Sequence, residues 1–281
     1  MRDFPVSALT AAVKQLFFTA NYEIGADVEA AVSAAMQAEP SLTGRAVLGQ
    51  LLENYQIARQ ERIAICQDTG MAVLFMEVGQ EVHFVGGDFE EAVNEGVRQA
   101  YREGYLRKSV VSDPVFDRKN TGDNTPAVIH LRLVPGDRIR ILATAKGFGS
   151  ENMSAVKMLV PADGEKGVVD FIVDTARKAG PNPCPPMVIG VGVGGTLEQA
   201  ALMAKRMTAR PVGSHHADPR YAGMEEAALR AINALGIGPA GIGGRTTALA
   251  VNIDCAPTHI AGMPVAVNIC CHAARHAQAI L

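Results

Sequence analysis

The chain has 281 residues, 48% hydrophobic and 20% charged, with a formal net charge of −3. That balance suits a globular protein with an ample core, and the slight negative charge excludes a basic footprint for nucleic acid or an anionic membrane. No apolar run approaches the roughly 18 residues of a membrane-spanning helix, and Met1-Arg2-Asp3-Phe4-Pro5 lacks the basic-then-apolar layout of a secretion signal.

The first sixty residues predict helices over Val6–Phe18, Asp27–Ala38 and Arg45–Arg59, where Ala, Leu, Glu and Gln recur with apolar spacings of three and four. Ser41-Leu42-Thr43-Gly44 supplies a cap before the third. The texture then changes: Met71–Val78 predicts a strand and Phe89–Tyr105 a helix. Ala127–Val134 and Arg138–Thr144 alternate polar with apolar residues. Pro135-Gly136-Asp137 between them has turn chemistry, so the two should form a hairpin. Further on, helices are expected at Lys166–Ala179, Leu197–Met207 and Met224–Leu235. Strands are expected at Val188–Val193, Thr246–Ile253 and Val265–Ile269, and a terminal helix from about His272. With no repeat, low-complexity tract or long linker, residues 1–281 read as one mixed α/β (α+β) catalytic domain. A helical lead-in, residues 1–60, precedes mixed sheets flanked by helices.

Three glycine-dense segments stand out. Gly190-Val191-Gly192-Val193-Gly194-Gly195 follows an expected strand and precedes a helix, matching the G-x-G-x-x-G dinucleotide pattern through Gly190, Gly192 and Gly195. No parallel βαβ precedes it and no acidic strand end follows about twenty residues on, so this is weak support for an NAD-dependent oxidoreductase. Gly236–Gly244 and Lys146-Gly147-Phe148-Gly149-Ser150-Glu151-Asn152 are the others. Such loops bring backbone N–H groups close to carboxylates or cluster sulfides.

The five cysteines are odd in number and mostly far apart, which argues against a disulfide framework and for a reducing cytoplasm. Cys255 and Cys270 read as buried structural residues. Cys66, Cys184 and Cys271 lie in loop-like segments. Prolines flank Cys184 and fix an exposed, non-helical backbone. Cys271 opens the expected terminal helix, whose dipole would favour thiolate. Three such thiolates could hold an iron–sulfur cluster and leave one iron without a cysteine. A zinc site is also open, although no C-x-x-C pair supports it; the H-x-x-x-H pair of His272 and His276 would share a face of an alanine-rich helix and reads as solvated or packed, and His215-His216 reads as surface. Gln67 and Asp68 put an amide and a carboxylate within reach of whatever Cys66 binds. His259 precedes Cys271 by 12 residues, a path expected to return it to the same cavity, where it could manage a departing hydroxide with Asp68. Arg107 could clamp a substrate carboxylate with its two-pronged fork, or be an ordinary surface arginine at a helix end.

Five segments together resemble the α-type catalytic region of class I fumarate hydratases and L-tartrate dehydratases. They are Ile65–Gly70, Lys146–Asn152, Pro183-Cys184-Pro185-Pro186 with the glycine turn to Thr196, Leu235–Thr247, and Pro257–Arg275. The resemblance implies a [4Fe–4S] cluster on Cys66, Cys184 and Cys271, with one iron not ligated by cysteine. It also implies a substrate site lined by Gln67, Asp68, Arg107 and His259, with backbone contacts from the Gly149 loop. Phe148 departs from the glycine usual in that loop, so its side chain should point away from the cavity or the pocket should differ.

Single-chain members of that family continue into a smaller domain that supplies further cationic contacts and a threonine thought to be the base. This chain stops just after the third cysteine motif. It should therefore be an α subunit needing a separate β subunit, in a heterotetramer of two α and two β. The implied reaction is hydration of fumarate to L-malate, with dehydration of L-tartrate to oxaloacetate as the alternative. A cluster-holding protein without hydro-lyase activity is a third reading, from another class.

Overall fold

The computed structural model describes residues 1–281. In chain order the elements are β1 (Arg2–Pro5), α1 (Val6–Tyr22), α2 (Ala26–Ala38), α3 (Leu42–Glu61), β2 (Met71–Gly79), β3 (Val82–Val85), α4 (Phe89–Glu103), β4 (Val128–Val134) and β5 (Ile139–Lys146). Then follow α5 (Phe148–Glu151), β6 (Ala155–Leu159), α6 (Gly164–Ala179), β7 (Met187–Gly194), α7 (Leu197–Met207), α8 (Pro219–Asn233), β8 (Ala248–Ala256), β9 (Met263–Cys270) and β10 (His276–Ile280). The fold is mixed α/β, as expected. By contacts the chain forms two compact units, one of Met1–Ile24, Tyr55–Phe148 and Arg275–Leu281, the other of Gly25–Asn54 and Gly149–Ala274.

In the first unit the sheet order is β10-β5-β2-β4. Helices α1 and α4 cover one face, with Leu9, Val13, Phe17, Val93 and Val97 buried in one cluster with Leu74, Met76 and Ile141. Asp88 starts α4 by accepting the Glu91 N–H at 2.8 Å, and Gly104 ends it. The expected β4–β5 hairpin is not formed. Both strands pair with β2 instead, β4 parallel and β5 antiparallel. The Pro135-Gly136-Asp137 turn exists, but it arches over the end of β2. A side chain at Gly79 would bring its Cβ within 2.1 Å of the Gly136 carbonyl. Alternation within the two strands says which face is buried, and is silent on whether a third strand lies between them.

In the second unit the order is β6-β9-β7-β8. Helices α6 and α8 pack on one face, through Ile172, Ala176, Ala228 and Ile232 against Val191, Ile253 and Ile269. On the other face Ala200 and Ala204 of α7 meet Ala266 of β9. Strand β7 is therefore buried along its whole length, which explains its near-continuous apolar run. Ser41 caps α3 as expected, its Oγ accepting the Gly44 N–H at 3.1 Å.

The expected terminal helix is a strand. His276–Ile280 forms β10 and pairs antiparallel with β5. Its alanine-rich sequence favours a helix locally, but the open edge of β5 offers backbone partners that a five-residue helix could not match. Cys271 is thus at no helix N-terminus, and His272 and His276 do not share a helix face.

Candidate active-site loops

Strand direction gathers the candidate residues of the first unit. Strands β2, β4 and β10 start at the end of the sheet where β5 stops. The segments Cys66–Gly70, Leu106–Pro126 and Gly147–Phe148 and the residue Arg275 therefore meet at one edge. Both oxygens of Asp68 accept backbone N–H groups there: Oδ1 from Gly70 at 3.0 Å and Oδ2 from Phe148 at 2.8 Å. Cys66 Sγ lies 3.4 Å from Gln67 Oε1. The Thr69 hydroxyl donates to the Arg107 carbonyl at 2.9 Å, fixing that backbone beside the loop while the Arg107 side chain stays exposed.

A buried shell holds this loop from behind. The Tyr101 hydroxyl donates to the carbonyls of Thr69 at 2.7 Å and Gly70 at 3.0 Å. Burial pushes the Tyr101 phenol far above its ordinary pKa, with Arg275 opposing and Asp68 adding to the rise, so it remains a donor. Asn124 Nδ2 donates to the Gly70 carbonyl at 3.1 Å. Phe148 is 44% exposed and its backbone, not its ring, is what meets Asp68. The departure from glycine is tolerated because the side chain leaves the loop outward.

The second unit repeats the logic. Strands β6, β7 and β8 start where β9 ends, so Gly149–Ser154, the Cys184 loop, the Gly236–Thr247 loop and Cys271 share an edge. The His272 N–H donates to the Cys184 carbonyl at 3.4 Å, and the Ala240 N–H to the Pro185 carbonyl at 2.9 Å. Cys184 is exposed with φ of +54°, a conformation uncommon outside tight turns. Its non-helical, exposed backbone matches the expectation from its prolines. Glu151 accepts from Asn268 Nδ2 at 3.0 Å and from Lys205 Nζ, at a cleft of about 240 Å³. The buried Glu39 carboxylate accepts the N–H groups of Arg245 and Thr246, closing the Gly236–Thr247 loop. Burial raises the Glu39 pKa, but these donors and Ser41 outweigh it and hold the group below its ordinary value.

His259 does not join these loops. The 12 residues to Cys271 include the eight of β9, which run straight for roughly 26 Å at about 3.3 Å per residue. The exposed His259 therefore sits at the opposite end of that sheet, beside the Gly194–Gly195 turn, where Thr258 donates to the Gly195 carbonyl at 2.9 Å. Its expected return to the Cys271 cavity fails within this unit because the intervening chain is extended.

The dinucleotide pattern is explained by packing. Gly190 and Gly192 lie inside β7. A Cβ at either would stand 2.0 Å from the Ala204 carbonyl or 2.1 Å from the Ala200 carbonyl of α7, so the glycines admit a close helix rather than a pyrophosphate. Cys270 is buried at the end of β9, as expected. Asn21, Tyr101, Asn124 and Arg275 escaped sequence reasoning. Only Arg275, at the edge of a quoted motif, carried any signal.

Each of the three cysteines, taken by itself, offers a free thiol suited to ligate a cluster. Cys66 and Cys271 are half-buried, Cys184 is exposed, and none is in a disulfide. All three leave regular elements at loop edges, with Cys184 and Cys271 on hydrogen-bonded neighbours. In neither unit do three or more His, Cys, Asp or Glu side chains converge as a single-ion site requires.

These loops and the comparisons define the class: the protein is a hydro-lyase. The chain belongs to the fumarate hydratase (Fumerase) family, matching it over residues 10–280. It is 39% identical over 269 residues to a Methanocaldococcus jannaschii protein provisionally named an L(+)-tartrate dehydratase subunit alpha, covering 94% of each chain. It is 33% identical over 242 residues to the L(+)-tartrate dehydratase subunit alpha of Escherichia coli strain UTI89, covering 85% of this chain and 79% of that one. The K12 counterpart is 32% identical over the same length. No helix is long and apolar enough to cross a membrane.

Proposed function

We propose that this chain is the α subunit of a [4Fe–4S]-dependent hydro-lyase interconverting fumarate and L-malate in a reducing cytoplasm. It works as one catalytic domain across residues 1–281, with a separate β subunit in an assembly of two α and two β. The observation that carries the reading is the loop edge of the first unit, where Cys66, Gln67 and Asp68 stand beside a backbone-fixed Arg107. The naming of the relatives as alpha subunits supports the β partner.

Cys66, Cys184 and Cys271 would hold the cluster, which when bound would supply Lewis-acid chemistry for the departure of the hydroxyl. Arg107 pairs with the remote carboxylate and stabilises the charge that reaches it when the C3 proton is removed. Gln67 hydrogen-bonds the bound acid, and Gly149 lets backbone approach it closely. Asp68 retains lone pairs beyond its two backbone bonds and accepts a hydrogen bond from the substrate hydroxyl, orienting it for departure. The C3 base and further cations come from the β subunit. His259 has no part in the site of its own unit.

A second reading, L-tartrate dehydration to oxaloacetate, is favoured by the names of the relatives. The two are separated by producing the chain with its β subunit without oxygen and comparing kcat/KM for L-malate and L-tartrate. Preference for malate supports the first reading and preference for tartrate the second. Turnover of neither overturns both.

A further inference from the structure

We infer that Arg275 is a positioning residue whose buried guanidinium sets how the Cys66–Gly70 loop presents Gln67 and Asp68. The inference rests on reading that loop as part of the substrate site.

Arg275 is 3% exposed and stands one residue before β10. Its Nη1 donates to the Asp68 carbonyl and, at 3.5 Å, to Asn21 Oδ1. Asn21 is fully buried; its Nδ2 donates to the Phe17 carbonyl at 2.9 Å and its own carbonyl accepts the Ile65 N–H at 2.9 Å. The guanidinium thus bridges the loop itself and the residue that anchors the loop's start. Arg275 also accepts the Ala145 N–H at 3.1 Å through its own carbonyl, so the side chain departs from a fixed strand edge.

The third segment meeting there is Gly147. A Cβ at that position would stand 3.0 Å from Arg275 Nη2 and 3.1 Å from Asp68 Oδ2. No side chain separates the guanidinium from the carboxylate, and the next residue, Phe148, gives its N–H to the same Oδ2. Arg275 Nε is buried without a hydrogen-bond partner. Burying a charge with a donor unmet is costly, and a well-packed apolar residue would serve mere stability as well or better. What an apolar residue could not do is grip the Asp68 carbonyl, and the rigidity of a site depends on such supporting bonds.

The test uses Arg275→Gln, Arg275→Lys and Gly147→Ala in the full chain. The first readout is backbone amide exchange in the chain alone. Gly70 and Phe148, whose N–H groups meet the Asp68 carboxylate, should exchange roughly tenfold faster in Arg275→Gln and Gly147→Ala, while β2 and β5 stay protected and Arg275→Lys lies between. The second is turnover with the β subunit, where kcat should fall about tenfold to a hundredfold with KM little changed and partial recovery in Arg275→Lys. Unchanged exchange at Gly70 and Phe148, or an equal loss of protection across the whole first unit, overturns the inference. If Arg275→Gln does not fold, Gly147→Ala decides, because it crowds the same point and removes no hydrogen-bonding group. Amide exchange needs neither substrate nor partner, so an inactive wild type would sink the proposed function and leave this inference judged on its own readout.

Discussion

Asp68 shows how much one residue's role depends on atoms outside its own motif. Its two carboxylate oxygens are held by the N–H groups of Gly70 and Phe148, so it fastens two loops. Asp68→Asn replaces one oxygen with a donor that would face an N–H. We expect turnover to fall about a hundredfold or more with iron content unchanged, measured as kcat beside iron per chain; loss of the cluster would make Asp68 structural. Glu39 is the corresponding fastener of the second unit. Its pKa is held below the ordinary value, so its contribution is complete above the unfolded carboxylate value near about 4.3 and is lost as pH falls through the lower folded value. Glu39→Gln should cost about 2 kcal/mol near neutrality. In melting temperatures against pH, the gap from wild type should close in acid; a constant gap would contradict this. Among the candidate residues, the exposed, non-helical backbone of Cys184 was legible because proline restricts its neighbours. The place of His259 at the other end of its sheet from Cys271 was not legible, because counting residues between two positions says nothing of whether the path is coiled or extended.

At the scale of elements, β7 carries the plainest lesson. Its glycines spell a nucleotide pattern, yet Gly190 and Gly192 are where α7 approaches a strand too closely for a Cβ. Gly190→Ala should therefore destabilise by about 1–3 kcal/mol through overpacking, seen as a lower denaturation midpoint. A protein of unchanged stability would mean that α7 can move away freely. Helices with strong periodicity, such as Leu197–Met207, were legible to the residue. The β4–β5 hairpin and the terminal helix were not. In both cases a distant strand, β2 in one and β5 in the other, supplied backbone partners that outweighed local preference. Strand order is a property of long-range pairing, and short alternating runs carry little record of it.

For the whole molecule, the two units follow one plan. Each has a four-stranded mixed sheet whose loops collect at the edge where three strands begin and the fourth ends. Cys66 belongs to one edge, Cys184 and Cys271 to the other. The family was legible because five short motifs keep their order along the chain, which periodicity alone could not have supplied. Substrate choice was less legible, since it turns on few contacts. The most direct measurement is iron and acid-labile sulfide per chain, on protein made and reconstituted without oxygen, beside the Cys184→Ser variant. The account predicts about four of each in the wild type, as a cubane cluster requires, and a marked loss in the variant. Little iron in the wild type, or equal iron in both, would contradict it.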